Sequence, residues 1–252
     1  MKIAIFGDSF ADCNRGGSFQ NYDASWPALL RDHKDFEVQN YAKLGSGLDW
    51  SVNNCMKFHE GYEKIIFVLT NAERLTINKD FHHKLDNPEQ DMHIIPSHLV
   101  KSSNRLYNKI LNIASKYQYY FHQGDYVNNR TAAYYISLRK IFKNRILLLN
   151  ATSLSAESTE KFSLLKSKPD NDLSLIDIFY HENKILFEGK DPAKNPELWK
   201  YDSRSCHLTH WHHNIVYEKI LEWIKKGKFS LTENDLLDLD VKEAQKQYIK
   251  EW

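Results

Sequence analysis

Short apolar runs cut by turn-forming residues set the rhythm of the chain. Ile3 to Phe6, Lys64-Ile65-Ile66-Phe67-Val68-Leu69 and Arg145-Ile146-Leu147-Leu148-Leu149-Asn150 are nearly continuous hydrophobic stretches of strand length, the pattern of strands covered on both faces. Phe36 to Tyr41 alternates instead, as a strand with one wetter face does. Between these runs the apolar spacing becomes helical. Ser25-Trp26-Pro27-Ala28-Leu29-Leu30 reads as an N-cap and a helix with Pro in its first turn. Further helices are expected over 49–61, about 99–121, and 125–143, where Tyr134, Tyr135, Ile136, Leu138 and Ile141 supply core positions. Another runs from His210 to Lys226, with Ile215, Val216, Ile220, Trp223 and Ile224 on one face and Gly227 to close it. Strands alternating with helices predict an α/β protein.

Two regions break the rhythm. From Asn78 to His98 the sequence is irregular, with Pro88, Pro96, His82, His83, His93 and His98, and is expected to form a lid or insertion. Residues 151–200 form a second insertion, beginning Ser/Thr/Lys-rich, in which Lys184-Ile185-Leu186-Phe187 reads equally as a short strand or as part of the loop. One α/β domain over 1–228 and a C-terminal tail over 229–252 follow. The tail is amphipathic and either packs as a terminal helix or meets a partner.

Composition narrows the function more than the fold. At 252 residues the chain can bury one substantial core. With 34 Lys+Arg against 33 Asp+Glu no global field calls for nucleic acid or an acidic membrane. Cys13, Cys55 and Cys206 are few, odd in number and widely spaced, which fits thiols in a reducing compartment. No apolar run reaches membrane-span length and the amino-terminal one is too short for a secretion signal, so a cytoplasmic protein is expected. Oligomeric state is not legible.

The chemistry-bearing residues fall at strand ends. Gly7 breaks the first run and delivers Asp8 and Ser9 to its carboxyl end, where ligands collect in open α/β sheets. Ser9 is a nucleophile candidate there; the plainer reading is a turn with Ser9 as a helix N-cap. Asp8 is expected to anchor the turn by backbone hydrogen bonds. Asn40 leads into Ala42-Lys43-Leu44-Gly45-Ser46-Gly47, a loop whose glycines allow close backbone approach to a ligand. Asn71 follows the Lys64–Leu69 run, as a site amide or as a cap for the next helix. Cys206, His207, His210, His212 and His213 have the donors for zinc. No second ligand cluster accompanies them, so no metal is expected, and His210, His212 and His213 read better as a capped, partly exposed helix start. No G-x-G-x-x-G follows the first strand, which disfavours a nucleotide or flavin binder, and no cofactor is expected.

Taken in order, these pieces resemble the SGNH hydrolases, the GDSL-type lipases and esterases. Gly7-Asp8-Ser9-Phe10 resembles the nucleophile block and Trp26 to Leu30 the helix that follows it. Asn40 with Gly45 is similar to the second block, Asn71 to the third, and His207-Leu208-Thr209 before an amphipathic helix to the last. Two blocks depart from the family: Leu69-Thr70-Asn71-Ala72 stands for Gly-x-Asn-Asp, and Arg204 stands three residues before His207, where the family has Asp. The nearest upstream acid is Asp202.

The resemblance implies a three-layer α/β/α, flavodoxin-like sandwich around a mostly parallel sheet of about five strands. It also implies an esterase in which Ser9 attacks an acyl or acetyl ester, His207 is the base and Asp202 orients it. An oxyanion hole would come from the N–H groups of Ser9 and Gly45 and the amide of Asn71. The implied partner is a small-molecule or glycan ester, the generous aromatic content favouring a carbohydrate. The altered blocks admit an alternative, a binding or structural module that keeps the fold without catalysis.

Overall fold

The computed structural model describes residues 1–13, 25–70, 75–77, 92–94, 124–151, 170, 174–175, 208, 210–232 and 235. Four strands form the central sheet: β1 (Lys2–Phe6), β2 (Glu37–Asn40), β3 (Lys64–Leu69) and, last in chain order, β6 (Ile146–Asn150). All neighbours are parallel, in the order β2-β1-β3-β6. The chain therefore leaves β1 in one direction to form β2 and returns past it to form β3.

Strand alternation sorts the core into two layers. Ile3 and Ile5 of β1, Ile66 and Val68 of β3, and Leu147 and Leu149 of β6 share one cluster with Trp26, Leu30, Val216, Ile220 and Trp223. These belong to α1 (Trp26–Arg31) and the last described helix, α4 (His210–Lys226), which pack together. Ala4, Phe6, Ile65, Phe67, Leu69, Ile146 and Leu148 fill the opposite cluster with Leu48, Val52, Tyr135 and Leu138. Their helices are α2 (Leu48–Phe58) and α3 (Gly124–Phe142). Consecutive crossovers through α1 and α2 thus cover opposite faces, as right-handed connections require when the chain reverses direction across a sheet. The result is the expected three-layer α/β/α arrangement.

Four details differ from the sequence reading. Among the described residues the sheet has four strands rather than about five. At the outer edge of β6 the Asp170 N–H donates to the Leu148 carbonyl (3.1 Å). Its carboxylate accepts from the Leu148 N–H (2.7 Å) and pairs with Arg139 (2.5 Å). Second, the stretch read as irregular over 78–98 contains a strand, β5 (Met92–Ile94), antiparallel to β4 (Leu75–Ile77); three-residue strands are too short to show an alternation. Third, Ser25 occupies the N-cap position of α1, but its buried hydroxyl makes no cap hydrogen bond. Fourth, Ile141 is half exposed and Phe142 is the residue packed at that end of α3. The expected helix over 99–121, the Lys184–Phe187 segment and nearly all of the 229–252 tail lie outside the described residues. No helix among those described is long and apolar enough to cross a membrane.

Candidate active site

In this strand order the direction of winding reverses between β1 and β3, and the carboxyl ends of those two strands flank the crevice where doubly wound folds take their ligands. Ser9 follows β1 there and Thr70 follows β3. Gly7 makes the exit from β1 possible. Its φ is +147°, and a Cβ on it would lie 2.8 Å from the Val68 Cβ and 3.0 Å from the Val68 carbonyl oxygen.

The chain then folds into a single tight turn. The N–H groups of Ala11 and Asp12 donate to the Asp8 carbonyl at 3.0 and 2.9 Å, and the Phe10 N–H donates to Asp8 Oδ1 at 3.1 Å. Asp8, not Ser9, is therefore the capping residue of this turn, in the anchoring role expected of it. Its second oxygen accepts from Thr70 Oγ1 (2.7 Å), which ties the turn to the end of β3. Asp8 is fully buried and Ser9 is 5% exposed. Among the described residues no hydrogen bond engages the Ser9 hydroxyl, and none is accepted from the Ser9 N–H.

The loop after β2 is laced to this turn at every step. Asn40 Nδ2 donates to the Ala11 carbonyl (2.7 Å) and to Cys13 Sγ (3.1 Å), while its Oδ1 accepts from the Ala42 N–H (2.8 Å). The Lys43 N–H donates to the Gly7 carbonyl (3.1 Å), and the Leu44 N–H to Asp12 Oδ2 (2.9 Å). Ser46 closes the loop on itself, N–H to the Lys43 carbonyl at 3.1 Å, and its hydroxyl donates to the Gly7 carbonyl at 2.9 Å. Gly45, at the apex, has φ +73°, a left-handed conformation that strains any residue with a side chain. Its N–H finds no acceptor among the described residues. Burial pushes the Cys13 thiol above its usual range against the opposing effect of the Asn40 amide, so this neighbour of Ser9 is a poor nucleophile near neutral pH.

Of the residues marked from sequence, Ser9 and Gly45 are thus described and tied to one another through Gly7 and Asp12. Asn71, His207 and Asp202 lie outside the described residues. Leu208, next to His207 in sequence, is buried in the layer of α1 and α4. His212 and His213 are buried rather than partly exposed, while Asn214 beside them is exposed; the side chain of His210 lies outside what the structure describes. Among the described residues no three of His, Cys, Asp and Glu are grouped to hold a metal ion; Cys206 and His207 are not among them. Sequence reasoning missed Asp12, Ser46, Ser51 and Thr70. The available signal was small hydroxyl and carboxyl residues at the strand ends and beside Gly45 and Gly47.

The described residues define a doubly wound α/β/α sandwich with a serine at its switch point. Solved structures similar to this chain include an acetyl xylan esterase, at TM-score 0.42 and 12% identity over 89% of this chain and 100% of that one. Another is a psychrotrophic esterase from Pseudoalteromonas sp. inhibited by monoethylphosphonate, at 0.42 and 10% over 89% and 97%. A third is a member of the lipolytic G-D-S-L family from Veillonella parvula DSM 2008, at 0.41 and 11% over 89% and 98%. No protein-family model matches the chain, and no curated protein does.

Proposed function

We propose that the chain is a serine hydrolase that cleaves an acyl or acetyl ester at Ser9. The observation that carries this reading is the lacing of the Ser9 turn to the Gly45 loop at the carboxyl ends of β1 and β2. It ties Leu44 and Ser46, the two neighbours of Gly45, to Asp12 and Gly7, which flank Ser9 in the chain, and this supports reading the Ser9 and Gly45 N–H groups as a pair of donors. Such preorganised donors are what an acyl-transfer transition state needs, and removing one typically costs about 10²–10³ in rate.

In the proposed reaction His207 takes the Ser9 proton as Oγ attacks the ester carbonyl, and the carbonyl π electrons move onto oxygen. Ser9 N–H, Gly45 N–H and the Asn71 amide receive that charge. Collapse breaks the bond to the alcohol, which leaves with the proton from His207. Water repeats the sequence on the acyl-enzyme, releasing the acid and restoring Ser9. Asp202 orients the imidazole; if it does not reach the ring, a backbone carbonyl can do so. The motif order Gly7-Asp8-Ser9, Asn40–Gly45, Asn71, His207 supports these assignments, and carbohydrate acetyl esters are the first substrates to try.

An active-site serine probe such as a fluorophosphonate tests the reading together with turnover of 4-nitrophenyl acetate. Wild type should label and turn over, and Ser9→Ala should lose both, with kcat down by about 10⁶ as for other catalytic serines. A wild type inert to the probe and to small acetyl esters overturns the catalytic reading in favour of a binding module.

A further inference from the structure

The Gly7 carbonyl is a buried hub. It accepts from the Lys43 N–H at 3.1 Å, from Ser46 Oγ at 2.9 Å and from Ser51 Oγ at 3.4 Å. The two hydroxyls lie 3.3 Å apart, and both serines are completely buried. Gly7 is two residues before Ser9, and Ser46 is the residue after Gly45. On the other side of Gly45 the Leu44 N–H is held by Asp12, three residues after Ser9. The apex of the loop is therefore gripped on both flanks, and each grip ends on the segment that carries Ser9.

We infer that Ser46 is a positioning residue whose hydroxyl, by holding the Gly7 carbonyl, fixes the Gly45 N–H relative to the Ser9 N–H. The inference rests on the proposed ester hydrolysis. A backbone donor at a left-handed glycine has two flanking torsions free to swing it, and the rigid β1 end is the natural reference against which to lock it. Ser46 does not touch the reacting atoms in this role. It sets the separation of two groups that do, and small misplacements of such groups are costly: about 1 Å can cost on the order of 10²-fold. Ser51 makes the longer contact to the same carbonyl and contributes less.

The experiment measures kcat and KM for 4-nitrophenyl acetate, with kcat normalised to sites titrated by a fluorophosphonate, in wild type, Ser46→Ala and Ser51→Ala. Ser46→Ala should lower per-site kcat by about tenfold or more with KM within about twofold, since the lost interaction acts on the developing charge. Ser51→Ala should stay within about threefold of wild type. A merely structural Ser46 would reduce the fraction of titratable sites and leave per-site kcat unchanged, which overturns the inference while the hydrolase reading stands. Equal losses in both serine variants also overturn it. A wild type without turnover or labelling overturns the hydrolase reading first and this inference with it. Should Ser46→Ala not fold, Asp12→Ala releases the Leu44 N–H on the other flank: the same kcat loss, recovered in Asp12→Asn, supports the bracket, and an unchanged kcat overturns it.

Discussion

The two ends of the central sheet are built on opposite principles. At the amino end the polar groups are exposed: Lys2 Nζ lies 3.4 Å from Glu37 with side chains 55% and 73% exposed. The terminal amino group donates to the Asp35 carbonyl, and the Lys2 N–H to Glu63, both in solvent. At the carboxyl end Asp8, Ser9, Asp12, Ser46, Ser51 and Thr70 are all buried, and all of them but Ser9 take part in the hydrogen bonds that lace the turn to its neighbours. A buried polar group left unsatisfied costs about 1–3 kcal/mol, so a cluster of this kind is held at some risk to stability. The strands are the same at both ends and demand only that their last carbonyls be satisfied. The strands alone do not call for this difference, and the proposed hydrolase would account for it, since its carboxyl end has to present donors around Ser9.

If that contrast is right, the carboxyl end should be intolerant of single-atom changes. The largest stability effect is expected for Gly7→Ala. The new methyl would meet the Val68 Cβ at 2.8 Å and the Ala11 Cβ at 3.2 Å on a backbone at φ +147°. Strain and overpacking together should cost about 2–5 kcal/mol, read from urea unfolding, with the proposed ester hydrolysis lost as well. A variant of wild-type stability would show that the turn relaxes freely and would break the comparison at its tightest point.

Thr70→Val should come next. The isostere removes the donor to Asp8 Oδ2 from a site where Asp8 is fully buried, and should cost about 1–3 kcal/mol, whereas Thr70→Ser should recover most of it. If the valine variant is as stable as wild type, the link between the Ser9 turn and β3 carries no stabilisation and the carboxyl end is less integrated than its hydrogen bonds imply.

How much of this was legible beforehand follows from the range of the forces involved. The continuous apolar runs of β1, β3 and β6 and the helical face of α4 are local patterns set by two-sided burial, and they located those elements to within a residue or so. Ser9 was marked because it follows the break of such a run at Gly7, and Gly45 because it lies in the glycine-containing loop after the alternating Phe36–Tyr41 stretch, which resembles a family block. The lacing was not legible. Asp12 to Leu44, Asn40 to Ala11 and Thr70 to Asp8 are pairings across 32, 29 and 62 residues, and serine, threonine and asparagine have many plausible local partners in a turn. The same limitation made Ser25 look like a bonded cap, since residue type and position were right and only the coordinates reveal an unbonded hydroxyl. The strand count was legible only approximately: about five strands were expected, and the described residues form a sheet of four.

The smallest effect is expected at the amino end and sharpens the contrast most directly. Lys2 and Glu37 sit on adjacent strands in direct register, the geometry in which opposite charges attract best across a sheet. If geometry alone decided, this pair should matter as much as the Thr70 to Asp8 bond. Solvent reduces it: both side chains are mostly exposed, so the attraction acts through water, is screened by salt, and is offset by the entropy of holding two flexible side chains together. A double-mutant cycle over Lys2→Ala and Glu37→Ala should return a coupling below about 0.5 kcal/mol that shrinks further as salt is raised. A coupling near that of the buried Asp8 contact, insensitive to salt, would mean that the amino end is organised as tightly as the carboxyl end, and the argument that buried polar order marks the functional edge of this sheet would fail.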